Sequence, residues 1–152
     1  MNEVERLSVI EDIRQLMAQY TYHADMQEWD SLVGLFTADG VFTSHAVDGT
    51  VLRRSVGRDE IAHTLVSNLG EGAVVIHHLF ASTVEVNWPE AASGIWSMED
   101  LLNRPPGTNP DGSPRFTSMH GYGHYRPRFA REQDGWRIAE LSLTRVRLDL
   151  EY

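Results

Sequence analysis

From Val4 onward, apolar residues fall at steps of three and four: Val4, Leu7, Ile10, Ile13, Met17, Tyr20 and Ala24. This is the spacing of one helix face, and Asn2 with Glu5 three positions on supplies a capping-box signal. The pattern predicts a long amphipathic helix over residues 3–25. A second, short helix is expected from about Glu28, with Trp29, Leu32, Val33 and Phe36 on its apolar side, stopped by a turn at Asp39-Gly40 in "TADG". "VFTSHAV", Asp48-Gly49 and "TVLRRSV" read as a hairpin with a tight I′-type turn. "GRDEIAHTLVSNLG" reads as a third helix, with Ile61, Leu65 and Leu69 as its buried stripe and Gly70 at its end.

Beyond Gly70 the pattern turns to strands over about Val74–Trp88, Ala91–Leu102, Phe116–Arg131 and Trp136–Leu148. "WPEAA" and "EQDGW" are the turns, and "RPPGTNPDGSP" is a Pro/Gly-rich loop of the kind that is either mobile or part of a pocket rim. Helices first and a long antiparallel sheet afterwards predict an α+β fold rather than βαβ winding.

Alternation within the strands sorts their faces. In "FTSMHGYGHYRPRFAR" the odd positions Met119, Gly121, Gly123, Tyr125, Phe129 and Arg131 are mostly apolar or small and read as core, whereas the even row from Ser118 to Arg128 is polar and suits water or an interface. In "AASGIWSMED", Ala92, Gly94, Trp96, Met98 and Asp100 share a face, so a carboxylate closes an apolar row. Such a group needs a partner or a raised pKa. In "VVIHHLFASTVEV", Val84 and Val86 mark the even face as core, so alternation turns His78 inward and His77 outward unless a bulge before Thr83 reverses the phase.

Length and composition narrow the function classes. A chain of 152 residues fits one domain, residues 1–152, able to bury roughly 68–70% of its unfolded surface. A net charge of −9 with scattered arginines disfavours nucleic acid and anionic membrane as partners. No signal-peptide pattern or long apolar run is present, which leads to the expectation of a soluble, cytoplasmic protein. With no cysteine, thiolate nucleophiles, disulfides and Cys-ligated metals are excluded. The histidines lack metal-ligand spacing and the glycines lack a phosphate-cradling pattern, so neither metal nor nucleotide cofactor is expected.

Several segments together, "IRQLMAQYTYHADMQEWDSLVGLFTADGVF", "VIHHLFASTVEV", "GIWSMEDLL", "GYGHYRPRF" and "DGWRIAELSLTRVRLD", span nearly the whole chain. In that order they resemble the SnoaL-like branch of the nuclear transport factor 2-like superfamily, the branch containing bile acid 7α-dehydratase, scytalone dehydratase and lindane dehydrochlorinase. The resemblance implies a cone-shaped α+β barrel: a curved antiparallel sheet wrapped around the long N-terminal helix and enclosing an apolar pocket. It also implies homodimers or homotrimers through the outer sheet face. The family's Asp at the end of the first helix falls on Asp25. Its strand histidine, seven residues before an aliphatic-Glu-aliphatic triplet, falls on His77 because "VEV" begins at Val84. A Tyr five residues before the Asp falls on Tyr20, and the Asp closing "WSMED" is Asp100. A family Arg on the last strands falls on Arg145 or Arg131, with Arg145 preferred because Leu141 and Leu143 share its face. The family thus selects His77 where alternation selects His78, and a bulge after the histidine reconciles the two.

These residue types suit elimination chemistry. His77 backed by Asp25 is a candidate general base, and Tyr20 and Asp100 are candidates to donate hydrogen bonds to a developing enolate oxygen or to protonate a departing hydroxyl, Asp100 only if burial keeps it protonated. Trp96, Met98, Phe129, His78, Arg145 and Arg131 are candidate substrate contacts. Each also has a plainer role: Asp25 as a helix-end cap, Tyr20 as core, the histidines as structural polar groups. Tyr20 and Asp25 are five residues apart, roughly 140° around an ideal helix, so their convergence requires the helix to end or distort between them. Three functions stay open: a cofactor-independent dehydratase-type lyase on a hydrophobic cyclic substrate such as a steroid or polyketide-like ring, an isomerase or cyclase of ketosteroid type, and a non-catalytic small-molecule binder.

Overall fold

A computed structural model describes all residues, 1–152. Helix α1 covers Glu3–Asp25, as its periodicity predicts, and its start is held by the expected capping box. The Asn2 side chain accepts from the Glu5 N–H at 2.9 Å and the Glu5 carboxylate accepts from the Asn2 N–H at 2.7 Å. Such a cap is worth about 1 kcal/mol. The buried stripe is shifted from the expected one: Val9, Ile13, Leu16, Met17, Tyr20, Thr21 and Ala24 are buried, while Val4 and Leu7 are exposed because the first two turns carry no tertiary cover. Helices α2 (Trp29–Val33) and α3 (Arg58–Leu69) follow; of α3's expected stripe, Ile61 and Leu69 are buried and Leu65 is half-buried.

Six strands, β1 (Phe36–His45), β2 (Val51–Val56), β3 (Val74–Asn87), β4 (Ala91–Asn103), β5 (Ser118–Glu132) and β6 (Gly135–Glu151), form one curved sheet in the order β2-β1-β6-β5-β4-β3. The α+β class holds, with two qualifications. The sheet does not close, since β2 and β3 are free edges, and the β1–β6 pair is parallel. Residues 37–40 of "TADG" do not make the expected turn after α2. They bulge out of β1 between the pairs Phe36–Ile138 and Val41–Glu140. The first hairpin also differs from a tight I′ turn. Its connection is longer, closed by Ala46 N–H to Thr50 O, and only Gly49 (φ +90°) is left-handed, whereas a I′ turn needs positive φ at both central residues.

One core fills the concave side of the sheet. It contains Ile13, Met17, Leu32, Phe36, Ile138 and Leu141, with Trp96 meeting Phe129 edge to face at 6.3 Å. Burial of each such side chain contributes about 1.5–3 kcal/mol. The row Ala92, Trp96, Met98, Asp100 and the row Gly121, Gly123, Tyr125, Phe129 both face this core, as their alternation predicts.

Bulges decide what the strands aim inward. In β3, Leu79 pairs with Met98 but Ser82 pairs with Trp96, so Phe80 and Ala81 together oppose Ser97. Inward positions are therefore odd before the bulge (Val75, His77, Leu79) and even after it (Ser82, Val84, Val86). In β6 two similar shifts, opposite Arg128/Phe129 and Tyr122/Gly123, keep Trp136 and Ile138, then Leu141, Leu143 and Arg145, then Leu148 on the inner side.

Candidate active site

A cavity of about 850 Å³ opens at the end of the cone where α1 finishes. Its deep wall is made by buried Tyr20, Ala24, Phe42, Val75, Leu102 and Tyr125, and its rim by exposed Ser67, Asn68 and Pro110 with the neighbouring Thr108. The Pro/Gly-rich segment 104–114 thus forms rim, held by a bridge between Thr108 and Pro114.

The end of α1 sets the central contact. Gln27, at φ +56°, turns the chain out of the helix, and its side-chain amide donates to Ala73 O at 2.9 Å, tying the helix terminus to the start of β3. Asp25 then faces His77. One carboxylate oxygen, Oδ1, accepts both the His77 backbone N–H (2.9 Å) and the ring Nδ1–H (2.7 Å). A carboxylate only accepts, so Nδ1 carries a proton, and in the neutral ring the lone pair is then on Nε2. A carboxylate in the last turn of a helix opposes the helix dipole, and the two donors from His77 offset that. The His77 side chain is 11% exposed and lines the cavity.

On the facing strands Asp100 and Arg145 form a bidentate pair, Nη1 to Oδ1 at 2.5 Å and Nη2 to Oδ2 at 2.9 Å, with side chains 7% and 10% exposed. Burial works against the Arg145 charge, but its hydrogen bonds to Asp100 prevail and raise its pKa. Asp100 and His77 are direct cross-strand neighbours. Gly121 sits opposite Asp100 on the other side, and a Cβ there would collide with Arg145 Nη1 and Asp100 Oδ1, so this glycine makes the room for the ion pair. Tyr20 meets Tyr125 edge to face at 5.7 Å. Burial first, and then the nearby Asp100 charge, push the Tyr20 phenol well above its usual range, while the neighbouring Tyr125 pulls the other way. The Tyr125 phenol is raised as well, by burial and then by Tyr20 and Asp100.

Tyr20, His77, Asp100 and Arg145 thus line one cavity, and Asp25 backs His77 from behind. The helix neither ends nor distorts between Tyr20 and Asp25, since α1 runs unbroken to Asp25, and the two side chains do not converge: Tyr20 lines the cavity, whereas Asp25 reaches it only through His77. The other expected substrate contacts are elsewhere. His78 is on the convex face, bonded to Glu99 at 2.9 Å, because the β3 bulge reverses the alternation that pointed it inward. Trp96, Met98 and Phe129 are 2–3% exposed in the closed core below the cavity and do not line it. Arg131 is also remote, lying over Trp88 at 5.2 Å in a shallow surface pocket at the far end of the sheet. Four further positions belong to the site without being singled out by the sequence. Tyr125 carries only a core signal there, and the one signal for Gly121 is its place in "GYG". Arg104 and Arg115 reach the rim only through chain folding.

Comparison with known proteins agrees with this architecture. A candidate scytalone dehydratase of Novosphingobium aromaticivorans superposes with a TM-score of 0.76 at 19% identity, covering 97% of this chain and 90% of that one. A hexachlorocyclohexane dehydrochlorinase (LinA, type 2) gives 0.77 at 16% identity, covering 99% and 94%. A protein of Kribbella flavida gives 0.79 at 18% identity, covering 95% of each chain. At these identities the likeness concerns the fold. A sequence search of curated proteins returns no match. The model of the SnoaL-like domain matches residues 5–142, nearly the whole chain, and the protein belongs to that family.

Proposed function

We propose that this protein is a lyase acting by His–Asp general-base elimination, of dehydratase type, on a hydrophobic cyclic small molecule. The observation that carries the reading is the His77–Asp25 pair at 2.7 Å on the wall of a largely apolar cavity. In the proposed step, His77 Nε2 takes a proton from carbon beside an electron-withdrawing group. The C–H electron pair becomes the new double bond and the neighbouring C–O bond breaks. The imidazolium returns its proton to the departing oxygen, so that water leaves and the enzyme is restored. Asp25 holds the tautomer and stabilises the imidazolium, as a fixed carboxylate can.

Tyr20, kept protonated by burial, acts as a hydrogen-bond donor to the oxygen that gains charge. Asp100 has both oxygens engaged by Arg145, so its role in this proposal is to orient that guanidinium rather than to give up a proton. No oxidant, reductant or cofactor takes part in this elimination. We further propose that copies associate through the convex sheet face, where the expected polar row of β5 is exposed or half-buried.

The test is incubation with 3-oxo steroids and hydroxylated polycyclic aromatics, read by mass spectrometry. A product one water lighter, lost in His77→Gln and reduced in Asp25→Asn, supports the reading. A product of unchanged mass indicates isomerase or cyclase chemistry by the same base. Binding without conversion across the series overturns catalysis in favour of a binding protein.

A further inference from the structure

The outer half of the cavity carries two guanidinium groups that the His77 site does not use. Arg104 directly follows β4, Arg115 lies three residues before β5, and both line the cavity. The arginines that meet carboxylates are Arg6, Arg128, Arg137, Arg145 and Arg147. Arg104 and Arg115 meet none, in a chain whose net charge is −9.

Their surroundings differ. Arg104 is engaged by the fold itself, since its Nε donates to Phe116 O and its Nη1 to Asn68 O, each at 2.9 Å, and the guanidinium lies over the Phe116 ring at 3.9 Å. It caps the last carbonyls of α3, where a cation is favoured. Arg115 is not engaged in this way. Its side chain makes no hydrogen bond in the protein, and its Nε is buried without a partner. Gly70 clears space for it, since a Cβ there would come within 2.8 Å of Arg115 Nη2. A buried donor left unsatisfied is destabilising, so this arrangement is incomplete without an acceptor. Burial first, and then the neighbouring Arg115 charge, also lower the Arg104 pKa.

We propose that Arg104 and Arg115 form an anion subsite at the cavity mouth, and that the natural ligand is therefore an amphipathic acid, with an apolar ring system in the depth and a carboxylate or phosphate group at the rim. Guanidinium groups match both anions through paired N–H donors. The placement of the ring beside His77 rests on the proposed function; the anion subsite does not.

Matched fluorescent probes test it: pyrenebutyrate, pyrenebutanol and pyrenylbutyl phosphate, titrated against the full chain. The wild type is expected to bind the anionic probes about tenfold or more tightly than the alcohol, the size expected of a charge-assisted, partly desolvated contact. Arg115→Met is expected to abolish that preference and leave the alcohol affinity unchanged; Arg115→Gln, with an unchanged thermal midpoint, guards against a folding artefact. Added salt should weaken the acids alone. A stronger preference for phosphate or for carboxylate assigns the anion class, and either supports the subsite. Equal affinity of acid and alcohol in the wild type, or an equal loss of both in Arg115→Met, overturns it. His77→Gln should retain the preference, so turnover left unchanged in that variant with charge selectivity intact would strike the lyase reading alone.

Discussion

Asp25 and His77 are 52 residues apart in sequence, yet one carboxylate oxygen of Asp25 accepts both the backbone and the ring N–H of His77. The backbone bond fixes where the strand passes the helix end, and the ring bond fixes which nitrogen faces the cavity. One atom therefore couples the docking of α1 on β3 to the tautomer of the candidate base.

Replacing Asp25 by Asn separates these two roles. The amide oxygen can still accept from the backbone, so folding should persist, while an uncharged partner no longer stabilises an imidazolium. Turnover should fall about 10²–10⁴-fold with little change in KM, since a positioned base contributes on that order. Steady-state kinetics checks it, and an unchanged kcat would remove Asp25 from the mechanism.

The Asp100–Arg145 pair is buried on both sides, so deleting one partner leaves a lone charge among apolar groups. Arg145→Met and Asp100→Ala should each destabilise by about 3–5 kcal/mol, whereas Asp100→Leu combined with Arg145→Leu should cost much less. Urea unfolding of the three variants distinguishes them, and additive losses in the double variant would contradict the coupling.

At Gly121 the expectation is steric. Ala there would collide with the ion pair, costing about 1–3 kcal/mol by overpacking and displacing Arg145. In the background of Arg145→Met the same change should be nearly silent, a non-additivity that a double-mutant cycle measures directly.

The two buried tyrosines give a pH prediction. Both phenols are raised in the folded state above their ordinary value of about 10, chiefly by burial. Above about pH 10 the unfolded chain can ionise these phenols while the folded chain resists, so their stabilising effect, complete below that pH, is lost as alkalinity increases. Thermal midpoints should fall on the alkaline side, and Tyr20→Phe with Tyr125→Phe should flatten that fall. A midpoint equally pH-sensitive in the double variant would refute the linkage.

The Arg145 position shows how far the strand pattern reaches. Leu141 and Leu143 put Arg145 on an inner face, and the structure agrees. At His78 alternation misleads, because a bulge separates this residue from its reference valines, Val84 and Val86. Trp96, Met98 and Phe129 are legible as inward but not as core rather than cavity wall, because alternation gives a face and says nothing about depth along the cone.

What the chain determines by itself is local: the long capped helix, the order of helices and strands, the face of each strand segment, and the absence of thiol chemistry. What the tertiary structure decided is phase and partnership. Whether His77 or His78 turns inward depends on two residues, Phe80 and Ala81, opposing one across a strand pair. Whether Asp100 sits beside a cation depends on β4 and β6 being brought to either side of a residue without a side chain, Gly121. Periodicity is a property of neighbours in sequence, whereas register and ion pairing are properties of neighbours in space, and the candidate site consists almost wholly of the latter.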